Sequence, residues 1–297
     1  MISMLDQASK LRKMVEKEGA AGKEEKSSDN SKIIAVASGK GGVGKSNITV
    51  NLGLALKEAG QEVLLIDADM GMANLDILLG LAQKYNLSHI LQDKCTFEEA
   101  LISGPEGIDI LPGTSGVEDF VNINQNQVKR LLKVASQMEA NYDIILIDIG
   151  AGIHRSVINF IIGADEAYIV LTPEPTAVMD AYSLVKILST HRQNNFLGLI
   201  INQIDSRKQA RELGNRMSEV IEEYLSREIK VRGYIPHDPY LKKAVKKQQP
   251  LLSLYPDSKA SQAFKDLAGQ MLAENGDKPA RGARGFVYRL IGMFNRG

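Results

Sequence analysis

The sequence has no tryptophan, and aromatic residues of all kinds make up only 5% of its 297 positions. Aliphatic side chains must therefore fill most of the interior, as they do around a buried parallel β-sheet. The apolar fraction of 44% is ordinary for a globular protein, so the chain is able to bury a sizeable core.

A single cysteine, Cys95, excludes an intramolecular disulfide and any metal or iron–sulfur site built from the cysteines of one chain. This is consistent with a reducing compartment. The N-terminus carries acidic residues and lacks the apolar core of a signal peptide, and no uncharged segment approaches transmembrane length. We therefore expect a cytoplasmic protein.

An excess of charge is also missing, because 36 basic residues balance 36 acidic ones. A chain without net charge has no strong global attraction to nucleic acid, so we do not expect DNA to be a partner. The local basic patch is interpreted as a solvated helix face. It consists of Lys242, Lys243, Lys246 and Lys247.

Sequence patterns divide the chain into five segments. Met4, Ala8, Leu11 and Val15 recur at helical spacing and predict a short helix at 1–18. Small, charged and turn-forming residues predict flexible tethers at 19–32 and 275–285. A single folded domain is expected between them, at 33–274, and 286–297 forms a separate terminal segment.

Within the central domain, short apolar runs alternate with amphipathic helical segments. The runs are IIAVAS, EVLLIDAD, IDILP, YDIILIDIG, EAYIVLTP, LGLIINQI and VRGYIP. Strands that are apolar throughout are buried on both faces, and this alternation is typical of the α/β class. The sequence therefore predicts a mostly parallel sheet flanked by helices on both faces.

A glycine-rich segment follows the first apolar run and precedes a helical one. It reads Gly39, Lys40, Gly41, Gly42, Val43, Gly44, Lys45 and Ser46, which matches the P-loop pattern. The glycines let backbone N–H groups approach phosphate oxygens, and the helix start adds a favourable partial charge. We expect Lys45 to reach the β- and γ-phosphates and Ser46 to bind Mg²⁺, with Asn47 beside them in the nucleotide site.

Lys40 is a second lysine inside this loop. The segment KGGVGKS resembles the deviant Walker A loop of the MinD/ParA family of P-loop ATPases. The resemblance implies ATP or ADP with Mg²⁺ as ligands, ATP hydrolysis and an ATP-dependent homodimer. It also implies that Lys40 crosses the dimer interface and stabilises transition-state charge on the partner's ATP, much as an arginine finger does.

The resemblance assigns roles to aspartates at two strand ends. Asp69 is expected near the attacking water and Mg²⁺, whereas Asp67 is interpreted as structural. Asp148 occupies the Walker B position and holds Mg²⁺ through water. Gly150 and Gly152 then belong to a switch that senses the γ-phosphate. Many family members have proline where this chain has Gly150, which makes the switch backbone looser but should keep its N–H contacts.

The family holds adenine with an asparagine at one strand end and a Pro-x-Asp segment after another. The matching positions are Asn202 and the three residues Pro236, His237 and Asp238. Asparagine and proline also end strands for ordinary turn reasons, so a purely structural role stays open. Glu174 matches a position that touches the partner's nucleotide.

Several branches of the family remain to be weighed. Electron-transfer and iron–sulfur carriers need paired cysteines, which Cys95 alone cannot provide. Division-site MinD proteins share a C-terminal membrane helix but lack an N-terminal helix and tether, and DNA-partition ParA proteins use basic patches. Both stay open as alternatives.

The N-terminal residues discriminate among these branches. The positions Asp6, Gln7, Ala8, Leu11 and Arg12 resemble the DQA-x-x-LR segment of the FlhG (YlxH) branch, which sets flagellar number and placement. The resemblance implies that this segment activates an FlhF-like GTPase of the signal-recognition-particle type. Flagellar basal-body proteins are further expected partners.

The last residues form an amphipathic pattern. At about 100° per residue, apolar side chains fall on one helix face and Arg289, Gly292, Asn295 and Arg296 on the other. We expect this helix to lie on an anionic membrane at the inner face of the cell when ATP is bound. Docking on the folded core is the alternative, and the two can alternate. The apolar face comprises Phe286, Val287, Leu290, Ile291, Met293 and Phe294.

Overall fold

The computed structural model describes residues 31–69, 75–113, 123–191, 196–274 and 280–294. The predicted helix at 1–18 lies outside these ranges, and with it Asp6, Gln7, Ala8, Leu11 and Arg12. Most of the first predicted tether and residues 275–279 of the second are also outside them. What the sequence indicates for these segments stays a prediction.

One eight-stranded sheet organises the described residues, in the order β3-β4-β2-β5-β1-β6-β7-β8. All neighbouring strands are parallel except β3, which pairs antiparallel with β4. This confirms the predicted α/β class and the mostly parallel sheet. The strands are β1 (Lys32–Ala37), β2 (Val63–Ala68), β3 (Ile102–Ser103), β4 (Asp109–Pro112), β5 (Ile144–Ile149), β6 (Glu166–Leu171), β7 (Phe196–Ile204) and β8 (Lys230–Pro236).

Helices cover both faces of this sheet, as predicted. They are α1 (Lys45–Glu58), α2 (Leu75–Leu79), α3 (Leu87–Leu91), α4 (Phe97–Ala100), α5 (Gln125–Asn141), α6 (Arg155–Gly163), α7 (Pro175–Ser189), α8 (Arg207–Leu225), α9 (Pro239–Lys246), α10 (Leu251–Leu254), α11 (Lys259–Ala273) and α12 (Gly282–Phe294), with a 3₁₀ turn at Pro105–Gly107. Helices α1, α10 and α11 pack on one face, and α5, α6, α8 and α12 on the other.

Local sequence explains where these elements form. Strand β5 reads IILIDI and is buried at every position, because it lies between β2 and β1 with helices above and below. Helix α5 begins after Asn124, whose side chain accepts from the Gln127 backbone N–H while the Gln127 side chain accepts from the Asn124 N–H. This capping box satisfies donors that the first turn leaves unpaired.

At the N-terminal side, the folded domain extends beyond the predicted boundary of 33. Ser31 is buried, and its hydroxyl donates to the carbonyl of Tyr142 at 2.6 Å. Lys32 is the first residue of β1 and forms an ion pair with Glu166 at 2.7 Å. Composition alone placed both residues in the tether, because their partners are more than a hundred positions away in sequence.

At the C-terminal side, α12 begins at Gly282, four residues earlier than predicted. Residues 282–285, assigned to the tether from their glycine and arginine content, are therefore helical. Ala283 is buried, and Arg284 Nε donates to Glu139 Oε2 of α5 at 2.5 Å. The contact with α5 stabilises this turn as part of the helix, and the local composition does not predict that contact.

Helix α12 packs its apolar face against α5, α6 and β1. Phe286, Val287, Leu290, Ile291 and Phe294 are buried and Met293 is half-buried. The Phe286 ring lies 6.1 Å from the Phe160 ring of α6, measured between centroids. None of the helices in the described ranges is both long and apolar enough to cross a membrane. The face predicted for the membrane is thus the face packed on the core, and membrane contact would require its release.

Candidate nucleotide-binding site

The P-loop connects the end of β1 with the start of α1. Gly42 and Gly44 have φ angles of +81° and +89°, in the left-handed region that glycine adopts without strain. Helix α1 starts at Lys45 with no side-chain cap on its first turn. Its leading N–H groups are therefore not satisfied by a capping side chain, and such a helix start binds anions favourably.

Two glycines of the loop are also required by close packing. A Cβ at Gly39 would clash with the backbone of Asp180 in α7, and one at Gly44 would clash with the side-chain amide of Asn202. Asn202 is buried, and its Nδ2 donates to the carbonyl of Val43 at 2.7 Å. The end of β7 therefore braces the phosphate-binding turn from outside.

Beneath the loop, Lys45 and Asp148 form a buried ion pair. Lys45 Nζ lies 2.7 Å from Asp148 Oδ1, and the Thr49 hydroxyl donates to the same oxygen at 3.1 Å. A buried ion pair needs such added hydrogen bonds to offset desolvation. Thr49 was not predicted from the sequence. Its spacing of i+4 from Lys45, which places both on one helix face, is the signal that could have found it.

The other carboxylate oxygen of Asp148, Oδ2, is buried and has no hydrogen-bond partner among the described residues. Such an atom is unfavourable unless a cation or a water molecule meets it. Carboxylate and hydroxyl oxygens beside a triphosphate suit Mg²⁺, which keeps several waters in its shell. Asp148 and the half-buried Ser46 at the start of α1 therefore fit the predicted magnesium site.

Asp67 is the second-last residue of β2 and Asp69 directly follows the strand, but their environments differ. The Asp67 carboxylate is buried and accepts from the backbone N–H groups of Asp69 and Leu75, each at 3.0 Å. It therefore shapes the turn, which agrees with the structural role expected of it. Asp69 is half-buried beside the switch, where a Cβ added at Gly150 would lie 3.2 Å from Asp69 Oδ1.

The switch follows β5 directly. Gly152 has a φ of +109°, and its N–H donates to the Ser38 carbonyl at 2.9 Å. Ser38 lies between β1 and the P-loop, and its hydroxyl donates to the Lys40 carbonyl at 2.9 Å. The switch and the loop are thus joined by a backbone hydrogen bond. The expected contact of the Gly152 N–H with a γ-phosphate stays a prediction, and it would replace this bond.

Lys40 points toward the start of α7 within its own chain. Its Nζ lies 3.2 Å from Glu174 Oε2 and 2.9 Å from the hydroxyl of Thr176. Lys40 and Glu174 are both exposed. Sequence reasoning placed Lys40 and Glu174 in the nucleotide site of a partner subunit. Within one chain the structure brings these two residues together, and it adds Thr176, which was not predicted. Their contacts with a partner's nucleotide stay a prediction.

The residues predicted to hold adenine lie at the neighbouring ends of β7 and β8, where Asn202 is in register with Ile235. Asn202 Oδ1 accepts from the Gln203 N–H at 2.9 Å, in addition to its contact with the P-loop. Asp238 caps α9 by accepting from the Tyr240 N–H at 2.9 Å, and it accepts from Ala260 at 3.1 Å.

These contacts give Asn202 and Asp238 structural roles. From the sequence alone, such a role could not be distinguished from adenine binding. Pro236 ends β8, and His237 is exposed, with its backbone N–H bonded to Ile204. Adenine contacts by these residues stay a prediction.

A glycine-rich turn between a buried strand and a helix, with its lysine paired to a carboxylate at the end of a neighbouring strand, defines a P-loop nucleotide-binding protein. The chain belongs to the CobQ/CobB/MinD/ParA nucleotide-binding family, whose domain model matches residues 34–251.

Individual relatives agree with this assignment. The chain is 38% identical over 263 residues to the antiactivator FleN of Pseudomonas aeruginosa, which covers 87% of this chain and 93% of the relative. It is 33% identical over 267 residues to the flagellum site-determining protein YlxH of Helicobacter pylori, with coverage of 88% and 90%. The expected resemblance to the FlhG (YlxH) branch is thereby confirmed.

A solved structure shares the fold. MinD from Pyrococcus horikoshii, described as complexed with Mg-ADP, aligns with a TM-score of 0.65 and 29% identity over 84% of this chain and 99% of that chain. The likeness covers most of this chain and nearly all of the solved chain, so the two proteins share one fold.

Proposed function

We propose that this chain is an ATP-hydrolysing switch that regulates the number or position of flagella. The observation that carries the catalytic part is the buried Lys45–Asp148 pair beneath a P-loop. Asp148 Oδ2 has no hydrogen-bond partner within the described ranges, which leaves it available to a magnesium ion. The flagellar part is supported by the similarity to FleN and YlxH.

The chain's own residues have distinct tasks in this reaction. The loop N–H groups and Lys45 hold the β- and γ-phosphates, and Ser46 and Asp148 hold Mg²⁺, which neutralises phosphate charge when bound. Asp69, beside Gly150 of the switch, orients the attacking water with its carboxylate. Positioning and charge stabilisation of this kind carry most of the catalysis of phosphoryl transfer.

The position of Lys40 at the rim of the loop supports dimerisation. Its contacts with Glu174 and Thr176 are exposed, so little free energy opposes their exchange for a second subunit's phosphates. ATP offers contacts that ADP lacks, and only such differences shift a monomer–dimer equilibrium. We therefore propose an ATP-dependent homodimer in which Lys40 acts on the partner's ATP.

Phosphate release from ATP tests the catalytic assignment. Lys40→Ala and Asp69→Ala should each lower turnover by about a hundredfold or more, since each removes a group that acts in the transition state. Lys208→Ala, at a mostly exposed lysine of α8, serves as the control and should leave turnover unchanged. Wild-type turnover in both active-site variants would refute the assignment.

The N-terminal segment is proposed to stimulate an FlhF-like GTPase. The support is the sequence resemblance at Asp6, Gln7, Ala8, Leu11 and Arg12. A peptide of residues 1–23 should accelerate GTP hydrolysis by such a GTPase, whereas the chain lacking these residues should not. Equal stimulation by a Gln7→Ala peptide would remove the role of Gln7, whose amide can orient a water molecule, and an inert wild-type peptide would end the proposal.

Membrane binding by α12 is proposed for the ATP-bound dimer, which makes the protein peripheral to the inner face of the cell membrane. Two released helices on one dimer gain from effective concentration, whereas one short helix binds weakly. Anionic liposomes should sediment Asp69→Ala with ATP but not with ADP. Ile291→Glu should stay in the supernatant with unchanged ATP affinity, while Gly292→Asn, on the exposed side, should sediment. Sedimentation of Ile291→Glu would contradict the assignment.

A division-site role of the MinD type is the second candidate, favoured by the similarity to a solved MinD structure. Deletion of the coding sequence in a flagellated host distinguishes the two. A changed number or position of flagella with normal septa supports the flagellar role, and anucleate minicells with normal flagella support the alternative. Plasmid loss would instead indicate a ParA-type role in DNA partition.

A further inference from the structure

A groove of about 580 Å³ follows the outer edge of β8, the last strand of the sheet. Residues 231–234 form its floor, and the start of α8 and most of α11 form its two walls. Within the described residues, β8 pairs with β7 along one edge and with no strand along the other. The floor is thus the unpaired edge of a sheet, enclosed on both sides by helices.

An unpaired edge presents backbone N–H and C=O groups that can pair with another extended chain. Two features limit that pairing to a short segment: the register between β7 and β8 shifts at two places, and Pro236 ends the strand without an N–H. The helical walls also exclude a second sheet. The geometry therefore suits one extended peptide, added as a strand along the floor.

The walls carry more positive than negative side chains. Arg207 and Arg211 on α8 and Lys259 on α11 line the groove and are exposed, and none of the three forms an ion pair within the described part of the chain. Two carboxylates, Asp205 and Asp266, also line it. Burial raises the pKa of the Tyr234 hydroxyl in the floor, and the positive charge of Arg211 partly opposes that rise. The charge of Arg211 is therefore felt at the floor of the groove as well as at its wall.

The spacing of the two arginines matches that of a strand. Residues four apart on a helix have Cβ atoms about 5–6 Å apart. Every second residue of a strand points the same way, at intervals of about 6.6 Å. Arg207 and Arg211 can therefore meet successive side chains on one face of an added strand, and acidic side chains would complement them.

We propose that this groove binds an extended acidic segment of a partner protein, which adds as a strand to β8 and places alternate carboxylates against Arg207 and Arg211. The site is distinct from the nucleotide site, because its floor is the middle of β8 and it adjoins the adenine region only through Ile204 and Pro236 at one end. The proposal does not depend on ATP hydrolysis or on flagellar regulation.

Fluorescence anisotropy with a labelled heptapeptide of alternating glutamate and valine tests the proposal on the full chain. We expect binding that Arg211→Glu weakens by about tenfold or more, because it places like charges opposite one another. Lys208→Glu is the matched control, since Lys208 lies on the same helix but outside the groove, and it should bind the peptide like the wild type. A heptapeptide with lysine in place of glutamate should bind at least about tenfold more weakly.

Strand addition has a further signature, because only one edge of the peptide faces β8. Two peptides, N-methylated either at every glutamate or at every valine, should differ: one loses binding and the other keeps it. Equal behaviour of these two, no binding of the parent peptide, or binding unaffected by Arg211→Glu would overturn the proposal. So would displacement by Mg-ATP, which assigns the groove to the nucleotide site, or by a single-stranded thymidine oligonucleotide, which assigns it to nucleic acid.

Discussion

The P-loop and the terminal helix α12 both rest on β1, but they are held in opposite ways. The P-loop leaves the carboxyl end of β1 and is fixed by buried polar contacts, Lys45 with Asp148 and Asn202 with the Val43 carbonyl. Helix α12 lies against the same strand through an apolar face and is fastened at its rim by arginines. A polar site requires particular atoms, whereas the apolar interface of α12 with β1, α5 and α6 (the seam) requires only complementary surfaces.

The seam also contains a void. An apolar cavity of about 50 Å³ lies among α12, α5 and the sheet, lined by Ile33, Phe160, Phe286 and Leu290 among others. A void removes packing contacts from the side chains around it. The comparison therefore predicts that changes at the P-loop abolish nucleotide binding, while changes at the seam loosen α12 and leave the nucleotide site intact.

The largest effect is expected at the buried ion pair. Lys45→Ala removes the phosphate ligand and leaves Asp148 buried without its partner, which should lower the free energy of unfolding by about 3–5 kcal/mol. ATP affinity, measured by titration with a fluorescent analogue, should fall by about a hundredfold or more. Lys208→Ala, at a mostly exposed lysine of α8, should change neither quantity. Retained ATP affinity in Lys45→Ala would contradict the role of this ion pair in nucleotide binding.

A smaller and more local effect is expected at the seam. Phe286→Ala enlarges the cavity and should lower the free energy of opening α12 by about 3 kcal/mol. Hydrogen exchange should accelerate in residues 282–294 while the amides of α1 and the ATP affinity stay unchanged. A parallel loss of protection in α1 would mean that the two regions unfold as one unit.

The two arginines at the rim of α12, Arg284 and Arg289, should contribute differently to the docking of this helix. Arg289 is mostly buried, and its Nε donates to the Gly163 carbonyl at 2.7 Å, so Arg289→Ala should weaken docking by about 1–3 kcal/mol. Arg284 is half-exposed in its pair with Glu139, and Arg284→Ala should change docking by less than about 1 kcal/mol. Hydrogen exchange of α12 measures the effect of each substitution on docking. A larger effect of Arg284→Ala than of Arg289→Ala would contradict this assignment.

The smallest effect concerns pH. Burial raises the pKa of Asp165 above its ordinary value of 3.8, although hydrogen bonds and Arg289 lower it in part. Because the folded state holds this proton more tightly than the unfolded state, ionisation of Asp165 opposes folding. The contribution of Asp165 to the free energy of unfolding should therefore fall as pH rises from its ordinary pKa to its raised pKa, and then level off. Urea unfolding of wild type and Asp165→Asn between about pH 4 and pH 7 measures the difference, and a rise with pH would contradict the shift.

The sequence predicts the polar region better than the seam. A P-loop is recognised from eight consecutive residues, and the apolar runs locate Asp69 and Asp148 at the carboxyl ends of the strands. The contacts of Asn202 with Val43 and of Lys40 with Glu174 join positions 159 and 134 residues apart, so only the folded chain reveals them. The amphipathic pattern of α12 fits a membrane and a core equally well, because both are apolar surfaces.

The central claim is that ATP drives two of these chains together, and light scattering coupled to size exclusion tests it most directly. Asp69→Ala retains the P-loop but lacks the carboxylate that positions water, so with Mg-ATP at micromolar protein it should elute at twice the 32.5 kDa of one chain. With ADP, and for the double variant Lys40→Ala, Asp69→Ala with ATP, the mass should be that of a monomer. A monomeric Asp69→Ala in saturating ATP would contradict the account.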